Sequence, residues 1–272
     1  MSAVLPVKTV EKPWGRLDLP EPFVNPGDEP IGEIWFEPPD ALPELLVKYL
    51  FTSEKLSVQV HPDDDQAEAA GMGRQGKSEC WYVIDAEPGA TLGVGFHEAV
   101  DAEAMRAAAL DGSIEDMLAW HPVRAGDFFE IRANTVHAIG AGVTVLEVQQ
   151  NSDITYRLFD YGRPRELHLD EGIAVANGIP HDPALRRHLA TTETCRLIDG
   201  PHFVLDRVYG PTAGHLADAH SGPLLVIPRE RDAVVGGESV SPGQCALAAS
   251  MADVKLAVQG VCLLASPCRH ER

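Results

Sequence analysis

The chain has 272 residues, 44 % of them apolar and 23 % charged, a balance that supports a sizeable buried core and excludes wholesale disorder. A formal net charge of −19 excludes nucleic acid and anionic membrane surfaces as expected partners, because a phosphate backbone needs a basic footprint. The opening MSAVLPVKTVEKPWG lacks the apolar core of an export signal, no apolar run of about 18 residues follows, and the five cysteines show no metal-site spacing, so a cytoplasmic chain with reduced thiols is expected.

Glycine (24) and proline (21) are frequent, and short apolar runs recur between turn signals, which predicts a mainly β fold. In chain order, LLVKYLF over 45–51, the polar TSEK and LSVQV over 56–60 predict a hairpin. DDDQAEAAG over 63–71 predicts a helix with an acidic start. Strands follow at CWYVI (80–84) and ATLGVGF (90–96), then a helical insertion from about Asp101 to Trp120, then strands at FFEIR (128–132) and VTVLEVQQ (143–150). The polar segment 164–192, with HDPALRRHLA near its end, reads as a connector containing a short helix. From Cys195 to Pro267 strand-like runs return (HFVLDRV, PLLVIP, CALAAS, VKLAVQGVCLLA), which predicts a second, smaller β-domain without a His/Glu cluster of its own. Closing the strands into a barrel or sandwich would hide their edges.

In SVQVHPDDD, Gln59 and His61 are two apart, so on a strand both leave one face while Leu56, Val58 and Val60 leave the other. A pair of metal ligands and an exposed polar face both fit that pattern. In GKSECWYVI, Lys77 and Glu79 share a face just before an apolar run that should be buried, and a buried carboxylate needs a metal or a cation such as Lys77 to compensate it. His137 follows a Gly–Asp turn, an apolar strand and a second turn at Ala133–Asn134, where Asn tolerates a left-handed backbone. Together Gln59, His61, Glu79 and His137 offer an amide oxygen, two imidazoles and a carboxylate, a set that suits zinc and also accepts manganese, iron or cobalt. The lack of thiolates in it favours a catalytic over a structural site.

The strings QVHP (59–62), GKSECWYVI (76–84), RAGDFFEIRANTVHAIG (124–140) and LEVQQNSDITYRLFDYGR (146–163), in this order and spacing, resemble the type I mannose-6-phosphate isomerase family of the cupin superfamily. The likeness covers roughly residues 10 to 175 and takes in KPWG (12–15) and GEIW (32–35). It implies a cupin (jelly-roll-like) barrel with inserted helices as a metal-binding catalytic domain over 1–175, and a smaller degenerate cupin-like β-domain over 190–272. It implies one Zn2+ ion per chain on Gln59, His61, Glu79 and His137, with the Gln-x-His pair a mark of this family where other cupins have His-x-His. Arg132 and Asn134 depart from the usual Pro and Gly of the cupin turn, which Asn should preserve.

The resemblance further implies interconversion of mannose 6-phosphate and fructose 6-phosphate through a cis-enediol, with Lys77 and Arg157 in the active site and Glu33 near the pocket. Glu147, on one face with Val143 and Val145, reads either as a proton shuttle or as a carboxylate orienting a ligand histidine. Arg157 reads as a partner for enediolate or phosphate, or as an ion pair with Asp153 or Asp160; Lys77 reads as an oxyanion holder or as a counter-ion to Glu79. Trp14 reads as core beneath Glu33. A sugar phosphate needs a basic cluster to overcome the chain's overall charge, and Lys77, Arg132, Arg157, Arg163 and Arg165 are the candidates. The alternatives are a sugar-phosphate-binding cupin without catalysis and another cupin enzyme such as a dioxygenase, whose usual three-histidine set Gln59 disfavours. The oligomeric state is not legible.

Overall fold

In the strand Leu45–Phe51 every residue is buried. Val47, Tyr49 and Phe51 enter one apolar cluster and Leu50 another, so both faces of the strand are covered. The computed structural model, which describes residues 2–211 and 220–268, places this strand within a seven-stranded sheet. Its order is Arg186–His188, Asp127–Ile131, Glu79–Ala86, Val143–Gln150, Leu45–Phe51, Ile31–Phe36, Val7–Arg16, with all neighbours antiparallel. A five-stranded sheet faces it, in the order Tyr156–Phe159, Val58–Val60, His137–Ile139, Thr91–Phe96, Leu118–Pro122. Between them Trp81, Val83, Val143 and Val145 meet Leu92, Val94 and Ile139, forming the barrel interior.

Alternation along each strand sends the other side chains outward. Val58, Val60 and Tyr156 leave the five-stranded sheet to pack on Ala67, Met105 and Ala108 of the helices Asp64–Ala69 and Ala102–Asp111. The first helix begins in a capping box between Asp63 and Gln66, and the second runs from an Asp101 cap to Gly112, whose φ of 89° closes a left-handed end. On the opposite side, Val47, Tyr49, Cys80, Tyr82 and Leu146 pack against Leu205, Leu225 and Leu263 of a six-stranded sheet. That sheet runs Ala3–Val4, Ala246–Ala248, Leu224–Pro228, Val261–Pro267, Phe203–Tyr209, Cys195–Asp199. Its far face is covered by a three-stranded sheet through Val235 and Val240.

The mainly β class and the cupin-type barrel with inserted helices are as the sequence predicts. Of the ranges expected as units, residues 1, 212–219 and 269–272 lie outside the described residues. The strand Ala3–Val4 pairs with Ala246–Ala248, so the N-terminal end of the chain edges the second sheet.

Two local expectations are corrected. The hairpin of 45–51 with 56–60 does not form. Leu45–Phe51 pairs with Ile31–Phe36 and Val143–Gln150, whereas Val58–Val60 pairs with His137–Ile139 and Tyr156–Phe159. The intervening turn crosses from one sheet to the other, held by distant partners: Thr52 Oγ1 donates to the Gly140 carbonyl at 2.7 Å and Leu56 N to the Ile139 carbonyl at 2.9 Å. The helical insertion ends at Met117, because Leu118–Pro122 takes a strand place beside Thr91–Phe96. The connector 164–192 holds the expected short helix, Leu169–Val175; farther on, Pro183–Leu185 makes a 3-10 turn and Arg186–His188 is an edge strand on Asp127–Ile131.

Candidate metal centre and active site

The two sheets of the barrel supply opposite walls of one site. From the five-stranded sheet come Gln59, His61 just beyond its strand, and His137, which lies across from Gln59 in register. Glu79 comes from the seven-stranded sheet. The ligand atoms of His61, Glu79 and His137 all lie within 4.8 Å of one another, and all three residues are buried. His61 Nδ1 donates to the Ile154 carbonyl at 2.8 Å and His137 Nδ1 to the Thr135 carbonyl at 2.9 Å, since a carbonyl can only accept. Each ring therefore turns an Nε2 lone pair inward, the arrangement of metal-binding histidines.

Those lone pairs meet further acceptors. Glu79 Oε2 is 3.5 Å from His61 Nε2 and Oε1 is 3.5 Å from His137 Nε2, and neither carboxylate oxygen has an aligned hydrogen bond. Buried acceptors facing one another need a cation. Ligand atoms in tetrahedral coordination at about 2.0–2.2 Å stand roughly 3.4 Å apart, so the separations fit a zinc-sized ion. Burial, Lys77 and the other ring push the His61 imidazole well below its ordinary range, and burial brings His137 down to about 4. Both rings are thus neutral near pH 7, the form that binds metal. The Gln59 amide presents Nε2 to His137 at 3.2 Å, while its oxygen accepts from Ser57 at 3.3 Å; half a turn of the amide exchanges the two. Lys77 Nζ also reaches the cluster, 2.6 Å from Glu79 Oε2 and 3.0 Å from His61 Nε2.

Backbone packing holds these segments together. Asn134, at φ 70°, donates its N–H to the His61 carbonyl at 2.7 Å, and Lys77 N donates to the Pro62 carbonyl at 2.9 Å. Gly76 lies so close beneath that turn that a Cβ would stand 2.4 Å from Asp63 C and Pro62 O.

Beside the cluster, Lys48 lies directly across from Glu147 on the neighbouring strand. Its Nζ is 3.0 Å from Glu147 Oε1 and 3.6 Å from Glu33 Oε2. Trp81 Nε1 donates to Glu147 at 2.9 Å and Trp35 Nε1 to Glu33 at 2.6 Å. Burial opposes the Lys48 ammonium, but Glu147, Glu33 and Glu79 overcome it and hold the group above the ordinary lysine range. Burial and Glu79 push the Glu147 carboxyl up, against Lys48 and Lys77. Burial also opposes ionisation of Glu33, yet Lys48, Lys12 and the Trp35 indole hold it below the usual carboxylate range.

A cavity of about 540 Å³ opens onto Gln59, Lys77, Glu147, Lys48 and Glu33, and is lined farther out by Arg157, Arg165 and His168. Of the proposed basic cluster, Arg165 spends both arms on Asp160 at 2.6 Å each, Arg163 also reaches Asp160, and Arg132 pairs with Glu130 and lines a different cavity. Arg157 pairs with neither Asp153 nor Asp160; it donates to the Glu166 carbonyl at 3.0 Å. Trp14 is buried and also lines the pocket. Lys48 is the residue that sequence reasoning missed. Its signal was present, as the one charge inside LLVKYLF, a run whose burial on both faces demands a compensating carboxylate.

The fold and the His–Glu–His cluster inside it define a cupin with a candidate single-metal site. No protein-family model matches the chain. It is 42 % identical over 195 residues to the mannose-6-phosphate isomerase of Streptococcus mutans, covering 67 % of this chain and 59 % of that protein. It is 37 % identical over 210 residues to mannose-6-phosphate isomerase ManA of Bacillus subtilis, covering 73 % and 65 %. The chain thus spans less than two thirds of the length of these relatives. In fold it matches the crystal structure of a Bacillus subtilis mannose 6-phosphate isomerase with a TM-score of 0.79 at 23 % identity, over 97 % of this chain and 98 % of that one. A holo, zinc-bound mannose 6-phosphate isomerase matches with a TM-score of 0.73 at 16 % identity, over 98 % and 100 %. The chain belongs to the type I mannose-6-phosphate isomerase family. No helix of the described residues is long and apolar enough to cross a membrane.

Proposed function

We propose that this chain interconverts mannose 6-phosphate and fructose 6-phosphate as a zinc-dependent aldose–ketose isomerase. The observation that carries the reading is the His61–Glu79–His137 cluster beside a pocket that also holds Lys48, Lys77, Glu147 and Arg157. His61, Glu79, His137 and the turned Gln59 amide would hold Zn2+, which when bound supplies Lewis acidity toward the sugar's C1 and C2 oxygens.

The chain's own groups cover the remaining needs. Glu147 has the role of base: it lines the pocket, and burial and Glu79 push its carboxyl above the ordinary value, which suits general base catalysis. It takes the proton from C2 of the aldose as the C1 carbonyl π pair moves to O1, giving after protonation the cis-enediol. The proton returns to C1 as O2 loses its own and becomes the ketose carbonyl. Lys48, kept as an ammonium, stabilises charge on the sugar oxygens during this shift. Arg157 takes the phosphate, because its charge is not spent on a carboxylate whereas that of Arg165 is. Glu33 fixes Lys48 from the opposite side of Glu147. Lys77 completes the charge balance of the cluster and lines the pocket for the sugar.

The range 1–175 would form the catalytic unit and 190–272 a supporting one. The five free thiols, three of them buried, suit a reducing cytoplasm.

The test is conversion of mannose 6-phosphate to fructose 6-phosphate by the purified protein, before and after chelation, after zinc is restored, and in His137→Ala. Turnover that chelation removes and zinc restores, and that His137→Ala lacks, is the expected outcome. A fully metallated protein that binds the sugar phosphate without turning it over would replace the enzyme with a binding cupin.

A further inference from the structure

A second cavity, of about 300 Å³, lies outside the barrel between the seven-stranded and six-stranded sheets. Tyr82 reaches it from Glu79–Ala86, Arg207 from Phe203–Tyr209, Arg229 from the residue after Leu224–Pro228, and His188 from the edge strand Arg186–His188. Arg207 is only 2 % exposed. Its Nε donates to the Tyr82 hydroxyl at 3.3 Å, Nη2 to the Thr191 carbonyl at 2.8 Å and Nη1 to the Glu193 carbonyl, all neutral acceptors that leave guanidinium donors over. Arg229 donates through Nη1 to the Tyr49 hydroxyl, and its buried Nε has no partner. Among the described residues neither arginine forms an ion pair with a carboxylate, although the chain carries a net charge of −19.

The nearby acids keep their charge but stay outside ion-pair distance of both guanidinium groups. Asp127 holds His188 Nδ1 at 2.8 Å, and Glu193 Oε2 accepts from Ala190 N at 3.1 Å. Glu230, which also lines the cavity, accepts from Val261 N at 3.3 Å. A buried cation held only by neutral groups is costly unless an anion joins it.

We propose that this cavity is a second anion site, which takes a phosphate group as inorganic phosphate or as a small phosphate monoester. Two guanidinium groups present the forked donors that match phosphate oxygens, and the Tyr82 hydroxyl, accepting from Arg207, keeps its own proton to donate. Tyr82 leaves the strand on the face opposite Glu79, so the site backs onto the strand that carries the metal cluster without sharing its pocket.

The test is calorimetric titration with inorganic phosphate, and separately with glucose 6-phosphate, of Arg157→Gln protein, in which the barrel pocket is weakened for phosphate. The site predicts that this variant still binds one of the two probes. Adding Arg229→Gln should then weaken binding by at least about tenfold, while Arg229→Gln alone leaves the KM for mannose 6-phosphate unchanged. Arg229→Lys, which keeps the charge and loses the fork, should bind more weakly than Arg229 with the fold intact, and it decides the matter if the glutamine variant unfolds. Preference for one probe identifies free phosphate or monoester as the occupant. No binding by Arg157→Gln, or equal binding with and without the Arg229 substitution, overturns the site. These are binding readouts, so the absence of isomerase turnover would leave them untouched.

Discussion

His137 stands directly across from Gln59 in the antiparallel pairing of the five-stranded sheet, with its Nε2 3.2 Å from the Gln59 amide. The two residues are 78 positions apart in sequence, and backbone register brings them together. If they hold zinc, His137→Ala should weaken zinc binding by more than the roughly 10–100-fold that loss of an outer hydrogen-bond partner costs, with Gln59→Leu less severe. The milder effect at Gln59 follows from donor strength, since both ligands are uncharged and an imidazole nitrogen holds zinc more tightly than an amide oxygen. Competition against a chromogenic chelator reads both; unaltered zinc affinity in His137→Ala would remove the site.

Lys48 separates two buried carboxylates, and its loss should register as a pH-dependent instability. Glu33 has a lowered carboxyl pKa, so its stabilising share is present above the unfolded value near 4.5 and is lost as the pH falls through the folded one. Glu147 has a raised pKa and the opposite sign, favouring the fold below its unfolded value and costing stability as the pH rises through the folded one. Removing Lys48 moves both carboxyls upward. Lys48→Met should therefore destabilise least near pH 4 and by about 3–5 kcal/mol near pH 8. Urea unfolding at the two pH values measures this, and a gap that narrows with rising pH would contradict the assignment.

Gly76 has no room for a methyl group against the Pro62–Asp63 backbone. Gly76→Ala should push the His61 turn away from Lys77, so zinc affinity is expected to drop at least about tenfold even where the folded protein is recovered. Circular dichroism together with the chelator assay separates lost site from lost fold.

Asn134 holds a left-handed backbone at φ 70° while its amide donates to Gln66 Oε1 at 2.6 Å. Asn134→Ala should cost about 1–2 kcal/mol through the backbone alone. Asn134→Gly relieves that strain and should cost less, and thermal denaturation ranks the two. The reverse order would show that the strain at φ 70° weighs less than the extra unfolded-state freedom of glycine.

Arg157→Gln should raise the KM for mannose 6-phosphate by about tenfold or more, the worth of a charge-assisted hydrogen bond to phosphate, and leave zinc content unchanged. Steady-state kinetics paired with metal analysis checks it. A fall in kcat with KM unaltered would move Arg157 from the phosphate to the reacting carbons.

Much of the barrel was legible because its signals are local. Gln59 and His61, and Lys77 and Glu79, share a face by the two-residue period of a strand, and apolar runs marked most strands of the walls. The failed hairpin shows the limit of that reasoning: TSEK looks like a turn between partners, but the strands on either side find better partners about ninety residues away, as Thr52 does with Gly140 and Val143.

Residue types and short spacings by themselves determined the metal-binding chemistry, the β class and the family likeness, because each depends on neighbours within a few positions. Only the tertiary structure decided which charges share a pocket. It set Lys48 between Glu33 and Glu147, gave Arg165 to Asp160, and sent Arg132 to another face. Such choices depend on strand order and register between distant segments, where a shift by one residue would turn Lys48 out of the barrel and Tyr49 into it.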